Sequence, residues 1–239
     1  MKDQSAYLFL NREKAAQQLI SQLWDYKNKN CSIVAISNGA VVMGKFIAEQ
    51  LNADLVFAPG ERIIDPANQR RSIGVVGFDY MIADDILGDI PQGYVYRQTK
   101  VLQAELLSRY PKLYYPIRSG FHNKIVIIID DSVYKSDEIL ACLKTIEKQQ
   151  PKEIIVAVPV ITHDAAHSVI QQVDATIFIH VVTDHSVKRA YLSFNPVDDE
   201  EVAILMNSDE EIMMDAIEEE LENLVIGIKP VNRSDLKWV

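Results

Sequence analysis

A chain of 239 residues that is 48% hydrophobic can bury a sizeable core, and its length suits one large domain better than two small ones. Its formal net charge of −10 is local: twelve of the 34 acids lie between Asp198 and Glu222, where no Lys or Arg occurs, leaving 24 basic against 22 acidic residues elsewhere. That region is excluded as a nucleic-acid surface, which needs Lys and Arg, and no run approaches the roughly 20 apolar residues of a membrane span.

The opening "MKDQSAYLFLNREKAAQQL" has charges on both sides of a very short apolar run, which is wrong for a signal peptide. A soluble, cytoplasmic protein with no membrane or nucleic-acid partner is expected. Residues 11–29 place Ala15, Leu19, Leu23 and Tyr26 at helical spacing, with Asn11 as cap. "CSIVAI" predicts a buried strand, "SNGA" a turn, "VVMGKFIAEQL" a helix and "ADLVFA" a second strand, a unit that implies parallel pairing. Residues 59–72, with two prolines and three arginines, read as a loop before the strand "IGVVGF", and residues 94–115 read as a polar helix.

A second alternating block starts at Lys124: strand "KIVIII", helix "SDEILACLKTIEKQ", strand "KEIIVAVPVI", short helix "HDAAHSVIQQV" and strand "ATIFIHVV". Continuous Ile/Val runs mark strands covered on both faces. The expected fold class is α/β, a mostly parallel doubly wound sheet with flanking helices. Residues 1–207 form the main domain and residues 208–239 an acidic helical extension, its stripe Ile212, Ala216, Ile217, Leu221 and Leu224 packing on the body or on a second subunit. Ligands of such sheets sit beyond the carboxyl ends of the strands, where strand order reverses. Both "SNGA" and "DDSVYKS" belong at that edge.

Three minor constellations have bland explanations. His163 and His167, four apart on a helix, lack a third ligand, and Cys31 and Cys142 show no metal-site spacing and read as reduced, buried thiols. Asp184, His185 and Ser186 are adjacent, whereas triads assemble from separated segments; a polar loop, with His185 as a candidate recognition residue, is the reading.

The strand ending in Asp130 and Asp131, followed by a turn and a helix, resembles the signature of type I phosphoribosyltransferases. In that family a glycine, two variable residues, Thr, Gly, one more residue and Thr follow the acids. Similarity of spacing extends over roughly residues 11–205: Ser37-Asn38-Gly39-Ala40 stands where a bacterial subgroup has a Pro-Arg-Gly-Gly pyrophosphate turn, Glu61-Arg62 where it has Arg-Lys, and "YLSFNPVDDEEV" resembles its closing segment. Arg62, Arg70 and Arg71 then fall in the flap over the site, meeting pyrophosphate or merely solubilising the loop.

The resemblance implies transfer of 5-phosphoribosyl from phosphoribosyl pyrophosphate to a nitrogenous acceptor, with inversion at the anomeric carbon. Asp130 and Asp131 would position the ribose, Ser132, Val133, Tyr134, Lys135 and Ser136 would hold the 5-phosphate at a helix N-terminus, and Ser37, Asn38, Gly39 and Ala40 would face the leaving group. Mg²⁺ would bridge the pyrophosphate if the chain is active, no dedicated protein metal site is implied, and the common state is a homodimer. The partner is then a phosphorylated sugar or nucleotide.

The departures fall on those same positions: Ser132 and Ser136 replace glycines that permit close phosphate approach, and Lys135 and Glu138 replace threonines. At about 5 Å and an effective dielectric near 20, Glu138 would oppose a phosphate by about 3 kcal/mol and Lys135 return a similar amount, so charge leaves both outcomes open. Ser136 as N-cap, with Asp137 and Glu138 on the helix dipole, describes a site in which the protein's own carboxylates replace the phosphate. The alternatives are therefore a non-catalytic nucleotide- or phosphate-binding module, and a structural protein acting through its acidic helix.

Overall fold

The structure, a computed structural model, describes residues 7–77, 81–83, 90–110, 120–183, 187 and 189–206. The segment 208–239 and the trio Asp184, His185 and Ser186 lie outside the described residues, as does the side chain of Arg70.

Helix α1 (Arg12–Leu23) buries Ala15, Ala16, Leu19, Ile20 and Leu23, and Asn11 Oδ1 caps it by accepting from the Lys14 N–H. It ends earlier than the periodicity suggests, because Trp24–Tyr26 tightens into a 3₁₀ turn and Asn28 turns the chain at φ 59°. Strand β1 (Cys31–Ala35) leads to α2 (Asn38–Leu51) and then β2 (Asp54–Phe57). "SNGA" is not a separate turn: Ser37 is the N-cap, its Oγ accepting from the Ala40 N–H at 3.2 Å, and Asn38, Gly39 and Ala40 form the first turn of α2. Gly44, in the middle of α2, lets the helix lie close to the sheet, since a Cβ there would come within 2.7 Å of Leu55 Cδ1.

The expected loop at 59–72 is a hairpin. Strands β3 (Glu61–Asp65) and β4 (Asn68–Val76) pair antiparallel, and β5 (Met81–Ala83) adds to β4. Arg62 and Arg71, which read as loop composition, belong to these strands, and Val75 is buried against Ala141. The inward residues Ile63, Ile73 and Val76 pack with Val95 of helix α3 (Gln92–Arg109), and Asp65 Oδ1 accepts from the Ala67 N–H to close the turn. Helix α3 begins and ends earlier than the expected 94–115, and residues 111–119 lie outside the described residues.

Strand β6 (Ile125–Ile129), helix α4 (Asp137–Glu147), strand β7 (Glu153–Thr162), helix α5 (His163–Ile170) and strand β8 (Ala175–Val182) complete a five-stranded sheet of order β2-β1-β6-β7-β8, parallel throughout. The fold is the expected α/β arrangement. All five β6 residues are buried, each contributing about 1.5–3 kcal/mol of apolar burial. Strand order reverses between β1 and β6. With right-handed crossovers the reversal places α2 on one face and α4 and α5 on the other, and it opens a crevice beyond the carboxyl ends of β1 and β6. Cys31 and Cys142 are buried free thiols, and burial pushes Cys142 up to about 12, so it is inert. Residues 8–10 run parallel to residues 190–193, with Phe9 bridged to Tyr191. Residues 199–206 form helix α6, the last among the described residues, capped by Asp198 Oδ1 on the Glu201 N–H.

Candidate functional site

The residue after β6 is Asp130, and the residue before α2 is Ser37. They meet across the point where strand order reverses: Ser37 Oγ donates to Asp130 Oδ1 at 2.5 Å, and the Asp131 N–H donates to the same oxygen at 2.8 Å. Both acids are buried, with 7% of their surface exposed. Burial and the neighbouring Asp131 carboxylate push Asp130 well above its ordinary range, against the pull of Ser37.

Asp131 has a different set of partners. Its Oδ2 accepts from Arg12 Nε at 2.8 Å and its Oδ1 from Ser132 Oγ at 3.2 Å. Burial raises its pKa even so, with the guanidinium opposing the shift. Arg12 Nη1 donates to the Asn195 carbonyl at 2.7 Å, and its guanidinium lies 3.9 Å from the Phe194 ring centre. Phe194 stacks on Tyr191, centroids 4.7 Å apart, and the Tyr191 hydroxyl donates to the Asp131 carbonyl at 2.6 Å. Asp131, Arg12, Phe194 and Tyr191 thus form a closed circuit.

Gly39 supports that circuit from below. A Cβ at position 39 would lie 1.8 Å from Asp131 Oδ2 and 2.8 Å from Arg12 Nε; the ion pair occupies the volume that a side chain would need. One residue earlier, Asn38 Nδ2 donates to the Val197 carbonyl (3.1 Å) and to Asp199 Oδ1 (2.9 Å). The Tyr110 hydroxyl sits 2.9 Å from Asn38 Oδ1 and 2.5 Å from Asp199 Oδ1. These bonds from Tyr110 and Asn38 hold Asp199 below its ordinary pKa against the upward push of burial, while burial and Asp199 raise Tyr110.

The turn 132–136 is drawn into the sheet. The Val133 N–H donates to the Val160 carbonyl at 2.9 Å, the Thr162 N–H donates to the Val133 carbonyl at 3.0 Å, and Thr162 Oγ1 donates to the Tyr134 carbonyl at 3.0 Å. Strand β7 outruns β6, so Val133 pairs with its extension. Ser136 holds the N-cap position of α4 but adopts φ −83°, ψ −5°, and its side chain makes no capping bond, contrary to the sequence expectation. Helical dihedrals at that position turn the hydroxyl away from the first-turn N–H groups. Glu138 reaches Arg62 of β3, Nε to Oε1 2.8 Å, as an ion pair whose N–H is not aligned on the oxygen. Burial raises the Glu138 pKa, with Arg62 opposing.

Residues 4–189 match the model of the phosphoribosyl transferase domain family. The chain belongs to that family. Curated proteins yield no match. Among solved structures, TT1426 from Thermus thermophilus is 23% identical at a TM-score of 0.70, covering 83% of this chain and 97% of that one. A purine phosphoribosyltransferase from Pyrococcus horikoshii is 14% identical (78% and 91% covered, TM-score 0.44), and a hypoxanthine phosphoribosyltransferase from Staphylococcus aureus is 11% identical (75% and 78%, TM-score 0.47).

In this phosphoribosyl transferase domain, Asp130, Asp131, Ser37 and Gly39 come together, whereas Arg62 stands apart with Glu138 on the α4 side. Asn38 faces Asp199 and Tyr110, and Ala40 is buried with its N–H given to Ser37. Tyr134 is 46% exposed and Lys135 is half-buried. Arg71 pairs with Asp65 within the hairpin at 3.6 Å. His163 and His167 are exposed on α5, and no group of three metal-ligating side chains occurs among the described residues. Arg12, Tyr110, Tyr191, Phe194 and Asp199 enter the site without a sequence expectation attached to them. The one available signal was the likeness of "YLSFNPVDDEEV" to the family's closing segment, which marks Tyr191, Phe194 and Asp199 as a group without assigning their contacts.

Proposed function

We propose that this phosphoribosyl transferase domain has a diverged site that does not carry out transfer, and that it acts as a non-catalytic module for phosphorylated-sugar or nucleotide ligands. The observation that carries the reading is the α4 entrance: the Val133 N–H is spent on Val160, and the Glu138 carboxylate stands there with Arg62 as its counter-ion. A phosphate approaching that helix start must displace the Glu138 carboxylate from Arg62, because the two anions repel each other and compete for the one guanidinium. Asn38, in the family's pyrophosphate-gripping arginine position, offers no cationic fork, and its amide is held by Asp199.

The acid pair as folded does not fit a divalent cation: Asp131 Oδ2 is held by a guanidinium, and Asp130 Oδ1 accepts two hydrogen bonds. The test is pyrophosphate release from phosphoribosyl pyrophosphate with Mg²⁺ across a panel of nitrogenous bases, alongside calorimetric titration of nucleotides. The expected result is binding without release. Release with any base, abolished in Asp130→Asn, overturns the reading.

Transfer is the second reading, favoured by one observation: β6 still delivers both acids to the point where strand order reverses, against the backbone of Gly39. In that case Asp130 and Asp131 position the ribose, residues 132–136 the 5-phosphate and residues 37–40 the leaving pyrophosphate. It requires Arg12 and Glu138 to withdraw first.

A further inference from the structure

We infer that Arg12 occupies the sugar seat of this domain from within, its guanidinium and the Ser37 hydroxyl giving the two acids the donors that a vicinal diol would otherwise give them. The inference rests on the reading of the site as a diverged phosphoribosyl seat and names the group that fills it.

Three observations carry it. Arg12 Nε and Ser37 Oγ each donate to one acid, at 2.8 and 2.5 Å, so each carboxylate has one donor supplied by a side chain from outside strand β6 and its turn. The pair rests on bare backbone, with Asp131 Oδ2 filling the volume of a Cβ at Gly39, so no gap remains between the acid and the start of α2. The guanidinium is also closed from the other side by Phe194 at 3.9 Å and tied to the Asn195 carbonyl. A planar cation stacked on an aromatic ring and bonded at two of its nitrogens loses little entropy by staying in place. The Arg12 and Asp131 side chains are 13% and 10% exposed, so a ligand reaches Asp131 only after the guanidinium leaves.

Apparent affinity for a ligand falls by the fraction of molecules whose seat is open, and a substitution that empties the seat restores it. Phosphoribosyl pyrophosphate is therefore titrated calorimetrically into the full chain as wild type, Arg12→Gln, Arg12→Lys, Glu138→Gln and the double variant R12Q/D131N. The expected result is a gain of about tenfold or more for Arg12→Gln, corresponding to a seat open in about one molecule in ten or fewer, a smaller gain for Arg12→Lys, and loss of the gain in R12Q/D131N. Folded Arg12→Gln and Arg12→Lys proteins that bind no tighter than wild type overturn the inference. If Glu138→Gln alone gains affinity, the diverged-site reading stands while the role of Arg12 falls; pyrophosphate release by wild type sinks the reading itself. A measurement on wild type needs neither ligand nor a folded Arg12 variant: the Arg12 Nε–H should exchange slowly with solvent by nitrogen-15 NMR and become unprotected in Asp131→Asn. Fast exchange in wild type overturns the inference.

Discussion

Ser37 and Asp130 join the ends of two neighbouring parallel strands through one 2.5 Å hydrogen bond, and the same serine oxygen accepts from the Ala40 N–H to start α2. A single hydroxyl thus fixes a helix origin and a buried acid. Ser37→Ala removes both functions. A lost N-cap costs about 0.5–2 kcal/mol, and a donor withdrawn from a buried carboxylate about 1–3 kcal/mol more, so urea denaturation should show a loss of about 2–4 kcal/mol. A loss of only about 0.5–1 kcal/mol, what the cap alone accounts for, means that Asp130 is neutral and needs no donor.

Asp130 should make the fold acid-tolerant. Its folded pKa is raised by burial and by Asp131, so between the ordinary carboxylate value near ~3.9 and the raised one the folded state binds more protons than the unfolded state. Stability contributed by this group falls as pH rises through that window and returns on acidification. Asp130→Asn keeps an acceptor for Ser37 without a charge. It should raise stability at neutral pH by about 1 kcal/mol or more, since each pK unit corresponds to about 1.4 kcal/mol, and should flatten the pH profile below neutrality. An unchanged profile places the titration elsewhere.

Gly39→Ala puts a methyl into Asp131 Oδ2, 1.8 Å from the ideal Cβ position. Overpacking of this kind costs about 1–3 kcal/mol. The cost should shrink when Asp131→Ala is made in the same chain, giving a coupling energy of at least about 0.5 kcal/mol in a double-mutant cycle. Additive effects would show that the methyl is accommodated by backbone movement of α2.

The Arg62 and Glu138 ion pair is 30% exposed on each side, and pairs with that much solvent contact contribute about 0.2–1 kcal/mol. A double-mutant cycle on Arg62→Met and Glu138→Gln should give a coupling in that range that declines in about 1 M salt. The raised Glu138 pKa also means that the pair is lost on acidification sooner than an ordinary glutamate pair. A coupling above about 2 kcal/mol, beyond the range of such exposed pairs, would make this contact a principal support of the hairpin.

The parallel sheet was legible because runs such as Ile125–Ile129 have no solvent face to interrupt them; length and flanking turns were enough. The hairpin at Glu61–Val76 was not, because Arg62, Gln69 and Arg71 interrupt its apolar residues, and such composition reads as loop until Ile63 and Ile73 are seen packed on Val95 and Arg62 is seen paired with Glu138. Asp130 and Asp131 were found by position, as strand-end acids before a helix. Arg12 was invisible for a physical reason: helical periodicity marks which residues of α1 are buried, and Arg12 is defined by what it meets 119 residues later. Likewise the failure of Ser136 as a cap is set by backbone dihedrals that residue type does not reveal.

The bond from Arg12 to the Asn195 carbonyl spans 183 residues. Contacts of such separation close last, because a long loop must be ordered before they form. A nascent chain emerging from the ribosome already holds Arg12 when Asp131 appears, but the Phe194 ring and the Asn195 carbonyl that fix the guanidinium arrive only later. Emergence of that stretch and fixing of the guanidinium are then one event, and a chain stopped before residue 190 would keep the Arg12–Asp131 pair without the ring and carbonyl that hold it shut.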